Sequence, residues 1–174
     1  MEQLILVNEL DEAIGTMEKM EAHRSALLHR AFSVFIFNSQ GQLLLQQRAA
    51  EKYHCGGMWT NTCCSHPRPK EETIAAASRR LQEEMGFTTP LKKVFDFVYK
   101  ATFSNGLTEY EFDHVFVGYY DGPIQPNPAE VADFKYLEVD QIQNLITQQP
   151  QEYTPWFHIA FPKLADWLSW QQVA

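Results

Sequence analysis

Inside the β-rich stretch from residue 31 to residue 120 stands one helical period, and that arrangement limits the chain to folds in which helices cover a sheet. Between residues 71 and 85, Ile74, Ala77, Leu81 and Met85 recur at helical spacing, and Gly86 stands where a left-handed C-terminal cap belongs. Residues 3–8 and 31–38 have strand composition, and Asn38-Ser39-Gln40-Gly41 is a turn into a third strand from Gln42 to Arg48. Beyond the helix, Lys93–Thr102 and Thr108–Tyr120 are two further strands, with Asn105-Gly106 marking a hairpin between them. A short strand near Phe134–Glu138 follows, then helices over roughly 138–148 and 154–170. Trp156, Phe157, Phe161, Leu164 and Trp167 or Leu168 give the last helix its apolar face. Strands in mixed order with helices on both sides predict an α/β sandwich.

At 174 residues the chain fits one domain, large enough to bury about 70% of its extended surface. No repeat, low-complexity tract or linker divides it. Three cysteines, two of them adjacent, make no disulfide framework, and the first residues lack a basic segment followed by a long apolar run. A reducing cytoplasm is the expected compartment, with no membrane span. The net charge of −8 argues against a nucleic-acid partner. Residues 1–100 carry 12 basic and 12 acidic residues, whereas residues 101–174 carry 2 and 10, so an anionic ligand must be met by the first half. Lys19, Arg48, Lys52 and Arg80 are the candidates.

Two short patterns carry the chemistry. A strand through Trp59–His66 puts Cys64 and His66 on one face and Cys63 on the other, because strand side chains alternate. Glu109-Tyr110-Glu111 does the same with two carboxylates. Either pair alone has a plainer explanation, a small buried hydrophobe or the wet face of a sheet; their combination in one chain asks for more. Glu83 and Glu84 add an oddity, since carboxylates in a helix's last turn oppose its dipole, and their Arg79 and Arg80 partners stand in the weaker orientation. A solvated ion-paired face is one account. A metal or metal–diphosphate complex beside Glu84 explains the placement better.

The segment 65–87, with Glu71, Arg79, Glu83, Glu84, Gly86 and Phe87, resembles the Nudix box G-x5-E-x7-R-E-U-x-E-E-x-G-U, Ser65 replacing its first glycine and Arg80 its glutamate after the arginine. Together with Trp59-Thr60-Asn61, Cys63-Cys64, His66-Pro67 and Glu109-x-Glu111, it is similar to the type I isopentenyl-diphosphate isomerases from Gly15 through Trp156. The resemblance implies a Nudix-type α/β/α sandwich with a mixed sheet in a single domain over 1–174. It also implies interconversion of isopentenyl and dimethylallyl diphosphate in isoprenoid biosynthesis, by a proton shift through a tertiary carbocation. A Nudix pyrophosphohydrolase is the alternative, which the replacement at Arg80 opposes; a non-catalytic diphosphate-binding module is a third class.

What the resemblance implies for residues is specific. Cys64, Glu111, Tyr99 and Trp156 take the catalytic roles, with the Tyr99 hydroxyl on the catalytic carboxylate and the Trp156 face beside the carbocation. Lys19, Arg48, Lys52 and Arg80 bind the diphosphate. His23, His29, His66, Glu109 and Glu111 ligate one divalent metal, Mn²⁺ or Zn²⁺ or else Mg²⁺, and Glu84 meets a Mg²⁺ carried by the substrate diphosphate. His54, His114 and His158 match no ligand and are read as structural. A small-molecule substrate is the expected partner, for a monomer or homodimer.

Overall fold

In the computed structural model, residues 2–52 and 54–173 are described. Two antiparallel strands open the chain, β1 (Gln3–Val7) and β2 (Ala13–Glu18), and β2 runs directly into a six-residue helix, α1 (Lys19–Arg24). Neither β2 nor α1 is visible in the sequence pattern. β2 is an edge strand exposed along most of its length, so it lacks alternation, and α1 is too short to show a helical period.

The centre of the sheet is β3 (His29–Phe37). Along one edge it runs parallel to β8 (Thr108–Tyr119), from His29 opposite Glu111 to Phe37 opposite Tyr119. Its other edge is shared in turn by β1, by β6 (Cys63–Ser65), and by β4 (Leu43–Arg48). β7 (Leu91–Thr102) pairs with β8 as the hairpin that Asn105-Gly106 predicts, Gly106 taking a φ of 83°. β9 (Val131–Leu137) and the two-residue β5 (Trp59–Thr60) flank β4.

The strand expected through residues 59–66 is therefore two strands, and the reason is hydrogen bonding. Between β5 and β6 the chain crosses from β4 to β3, and side chains replace the ladder there. Asn61 Nδ2 donates to the Cys63 and Val34 carbonyls, while Thr62 Oγ1 donates to the Leu44 carbonyl and accepts from Ile36 N. All three residues 60–62 are fully buried, so every polar group needs such a partner.

Alternation along β3 and β8 divides the core. Phe32, Val34, Ile36, Cys63 and Phe116 face helix α2 (Thr73–Met85), which contributes Ala76, Ala77, Leu81 and Met85. Phe35, Val115 and Val117 face helices α3 (Val139–Gln148) and α4 (Pro155–Val173), with Ile142, Ile146, Phe157, Phe161 and Leu164. The mixed sheet with helices on both faces is the α/β sandwich anticipated. Helix α2 begins at Thr73 rather than at 71, because Glu71 is spent outside it: it accepts from Arg68 N and from both Nε and Nη2 of Arg79, fastening the preceding turn to the helix. Its end is as expected, with Gly86 left-handed at φ 78°, where any Cβ would collide with the Gln125 carbonyl.

Candidate active site

On the face covered by α4, the sheet's apolar residues give way toward the start of β3 and β8 to polar ones: Glu109, Glu111 and Asp113 precede Val115 on the same side of β8. There lies a small cavity of about 60 Å³. Strands on either side of β3 supply its chemistry, Cys64 from β6 in register with Ser33 and Glu111 from β8 in register with His29. Cys64, His66, Glu84, Tyr99, Glu109, Glu111 and Trp156 all line it, together with Lys19, Arg48, Lys52 and Arg80. Cys63 is fully buried on the opposite face, against α2, as strand alternation requires.

Behind the cavity wall three imidazoles converge. His23 comes from α1, His29 from the start of β3 and His66 from just beyond β6. Their ring centroids are 4.9 Å apart for His23 and His29, 5.0 Å for His29 and His66, and 5.8 Å for His23 and His66. Glu111 joins them, its Oε1 3.0 Å from His66 Nε2 and 3.5 Å from His29 Nε2. One ligand atom from each of these four buried residues lies within 4.8 Å of all the others.

The donor set fits a divalent cation. His23 Nδ1 donates to the Lys19 carbonyl at 2.7 Å and His29 Nδ1 to the Leu27 carbonyl at 2.8 Å. A carbonyl can only accept, so each Nδ1 carries a proton and each Nε2 is turned inward toward the other donors, the orientation in which imidazoles are presented to metals. Burial holds His66 near about 4 and lowers His23, leaving both neutral. Glu109 stands one step aside, in a second convergent group with His23 and His54.

The two carboxylates differ in state. Burial pushes Glu111 upward, but hydrogen bonding to the His29 and His66 imidazoles against it prevails and holds it well below the usual carboxylate range. Burial, and then the Glu111 charge, push Glu109 well above it. Tyr99 OH bridges them, 2.7 Å from Glu111 Oε2 and 3.0 Å from Glu109 Oε2. Burial and the two carboxylates push that phenol well up, so it remains a donor. Burial also raises the Cys64 thiol far above its ordinary value, and it is protonated throughout the neutral range.

Toward solvent the cavity shares Lys19, Lys52, Ser65 and Arg80 with an outer vestibule of about 610 Å³. Five of the ten vestibule residues are cationic and two are anionic, in a chain whose net charge is −8. Arg48 is the last residue of β4, Lys52 lies four beyond it, and Arg48 Cζ stands 5.1 Å from the centre of the Trp156 ring. Trp156 is itself placed by Thr154, whose amide bonds the Trp59 carbonyl and whose hydroxyl bonds Thr60 Oγ1. Glu84 points inward and is 5% exposed, bonded by Arg80 Nη2 at 2.7 Å and Gln46 Nε2 at 2.9 Å; Glu83 faces out, toward Arg79 and Arg80.

One expectation changes, and one pair of residues is new. His54 lines the cavity instead of serving only as structure: its Nε2 is 3.2 Å from Glu109 Oε1, and its ring stacks on Phe103 and meets Trp156 edge-on. The loop carrying it has no periodicity from which its direction is legible. Ser33 also reaches the cavity, donating to the buried Asp113 at 2.7 Å; strand alternation from Glu111 is the signal that marks Asp113. His114 and His158 are structural, paired respectively with Asp11 and with the Pro150 carbonyl.

The NUDIX domain matches residues 27–157, which leaves β1, β2 and α1, and hence Lys19 and His23, outside the match. Whole-chain relatives include that segment. An isopentenyl-diphosphate Delta-isomerase of Pectobacterium atrosepticum is 49% identical over 97% of this chain and 93% of its own length. One from Serratia proteamaculans is 52% identical over 90% of this chain and 87% of its own. The chain belongs to the isopentenyl-diphosphate Delta-isomerase family. The fold has solved counterparts: DR0079 from Deinococcus radiodurans superposes with a TM-score of 0.72 at 23% identity, covering 85% of this chain and 90% of that one. A Nudix hydrolase of M. smegmatis, RenU, superposes at 0.58 and 18% identity over 95% and 94%. These two likenesses concern the fold alone. Among the described residues no helix is long and apolar enough to cross a membrane.

Proposed function

We propose that this chain interconverts isopentenyl and dimethylallyl diphosphate by moving one proton onto the substrate's terminal methylene carbon and removing another from the carbon nearer the diphosphate, through a tertiary carbocation. The observation that carries the proposal is the pairing, in one enclosed cavity, of a protonated thiol on β6 with a hydrogen-bonded carboxylate on β8, from opposite edges of β3. An unactivated alkene needs a proton donor and an acceptor in reach of different carbons, and the carbocation needs water kept away. Cys64 holds a proton to give and Glu111 is the base, with Tyr99 fixing the carboxylate's orientation. One passage leaves Cys64 as the thiolate and Glu111 protonated, and proton exchange with solvent, or the reverse passage, restores them.

Trp156 closes the cavity with its ring, whose face stabilises a nearby cation by about 2 kcal/mol or more in a dry site. Lys19, Arg48, Lys52 and Arg80 receive the diphosphate at the junction of cavity and vestibule, leaving the five-carbon tail to the inner space. A divalent cation held by His23, His29, His66 and Glu111, with Glu109 adjacent, would supply positive charge that anchors the Glu111 carboxylate; nitrogen and oxygen donors of this kind suit Mn²⁺ or Zn²⁺. Glu84, a single buried carboxylate beside the diphosphate cations, suits Mg²⁺ brought in with phosphate oxygens.

Incubation of the purified protein with isopentenyl diphosphate and Mg²⁺, with products resolved by NMR, tests this. Dimethylallyl diphosphate without release of phosphate is the expected result. Release of inorganic phosphate or a monophosphate ester would instead indicate hydrolysis, and tight binding with no product a binding module.

A further inference from the structure

One carboxylate outside the catalytic group holds two of the cations assigned to the substrate. Glu130 stands just before β9, in a loop tied at several points: its amide bonds the Asn127 carbonyl, its carbonyl accepts from Ala49 N, and Asn127 N bonds the Glu84 carbonyl. These bonds fix the loop between the end of β4 and the C-terminal half of α2. From there the Glu130 side chain reaches into the vestibule. Its Oε2 is ion-paired with Lys52, and its Oε1 is 3.3 Å from Arg80 Nη2. The same Arg80 nitrogen is 2.7 Å from Glu84 Oε1. Lys52 and Arg80 come from different elements, and Glu130 is the group that joins them.

We infer that Glu130 is an internal stand-in for the substrate's diphosphate, holding Lys52 and Arg80 together while the site is free and surrendering them when the diphosphate arrives. The inference rests on the diphosphate chemistry proposed above and deepens it. Binding is then an exchange of anions on the same two cations. A carboxylate cannot remain at both ion pairs while phosphate oxygens take them, because like charges placed side by side on the same two cations repel. The side chain is one-fifth exposed, so it has an outward path to water when displaced. Affinity for the diphosphate is the difference between two competing sets of ion pairs, which leaves the vestibule cations organised in the free protein and keeps product release from being slow.

Calorimetric titration of the full chain with inorganic pyrophosphate measures this without turnover. Glu130→Gln and Glu130→Ala remove the competing charge and are expected to bind pyrophosphate roughly three- to tenfold more tightly, the equivalent of two partly exposed ion pairs. Glu130→Asp keeps the charge and stays within about twofold of wild type, a difference that falls inside the range of exposed pairs. In isomerase assays the Gln variant lowers KM while changing kcat less. Weaker or unchanged pyrophosphate binding in the Gln and Ala variants would mean that Glu130 merely braces Lys52 and Arg80, and equal tightening in Asp would remove charge as the cause; either result overturns the inference. A wild-type protein that binds pyrophosphate yet makes no dimethylallyl diphosphate would sink the proposed function and leave this inference standing.

Discussion

Replacing Cys64 by alanine removes one sulfur atom from the cavity lining, while the backbone ladder that pairs Cys64 with Ser33 remains. Nothing in the apolar core depends on that sulfur, so the fold should persist. The reaction loses its only thiol at the cavity among the described residues, and a missing acid or base costs about 10²–10⁴ in rate, or about 3–5 kcal/mol in barrier. Cys63 is the internal control. Its side chain is fully buried among Val34, Ala77 and Leu81, so Cys63→Ala leaves a small void and costs about 1 kcal/mol of stability with kcat almost unchanged. The two adjacent variants thus predict opposite outcomes, one in turnover and one in the urea midpoint. Initial rates with saturating isopentenyl diphosphate, read beside urea unfolding of each variant, make the comparison. A Cys64→Ala enzyme within threefold of wild type, or a Cys63→Ala enzyme that loses turnover without losing stability, would refute the assignment of the thiol.

At Trp156, substitution by Phe and then Leu should lower kcat in that order with smaller changes in KM, because a cation is stabilised by an aromatic face and not by aliphatic bulk; equal kcat for Phe and Leu would reduce Trp156 to packing and a platform for Arg48. Alanine at both His23 and His66 should leave purified protein depleted of divalent metal by elemental analysis, and a full metal complement in that double variant would show the ligand set to be wrong. Burial, reinforced for His54 by Arg48, holds His54 and His66 near about 4 in the metal-free fold, so between about pH 6.5 and about 4 the unfolded chain binds protons that the folded chain refuses. The stability from these two groups is therefore complete above about 6.5 and is lost as pH falls. His54→Gln should lose about 2 kcal/mol less than wild type between pH 7 and pH 5 in urea unfolding of chelator-treated protein; identical losses would show that His54 accepts its proton without cost.

Much of the site was legible because it lies on regular elements. Period-two alternation separated Cys64 and His66 from Cys63, and paired Glu109 with Glu111, since β6 and β8 keep that period even where the strand before β6 breaks. The 3.6-residue period and the required glycine at 86 located α2, and the misplacement of Glu84 in its last turn marked a carboxylate that turns inward to the cavity. What escaped lies off the periodic elements. Strand β2 is exposed and α1 is a turn and a half long, yet they deliver Lys19, which the charge balance had nominated, and His23, which only the resemblance had named. His54 rides on an irregular loop, where direction is set by tertiary contacts with Phe103 and Trp156. The Cys64 thiol also departs from its ordinary value, because its surroundings are dry to a degree that composition cannot reveal. Glu130 is a single charge in an acidic half of the chain, distinguished only by the two cations it meets in space.

In the proposed reaction a proton from the protein, exchangeable with solvent, is added to the alkene at one carbon while another is removed elsewhere. Turnover of isopentenyl diphosphate in D₂O, followed by NMR of the products, tests it most directly. The expected result is dimethylallyl diphosphate carrying deuterium in a methyl group, with deuterium also appearing in recovered isopentenyl diphosphate as the reaction reverses, and no released phosphate. Dimethylallyl diphosphate formed without any deuterium would mean that hydrogen moves within the substrate, and Cys64 and Glu111 would then lose the roles given to them here.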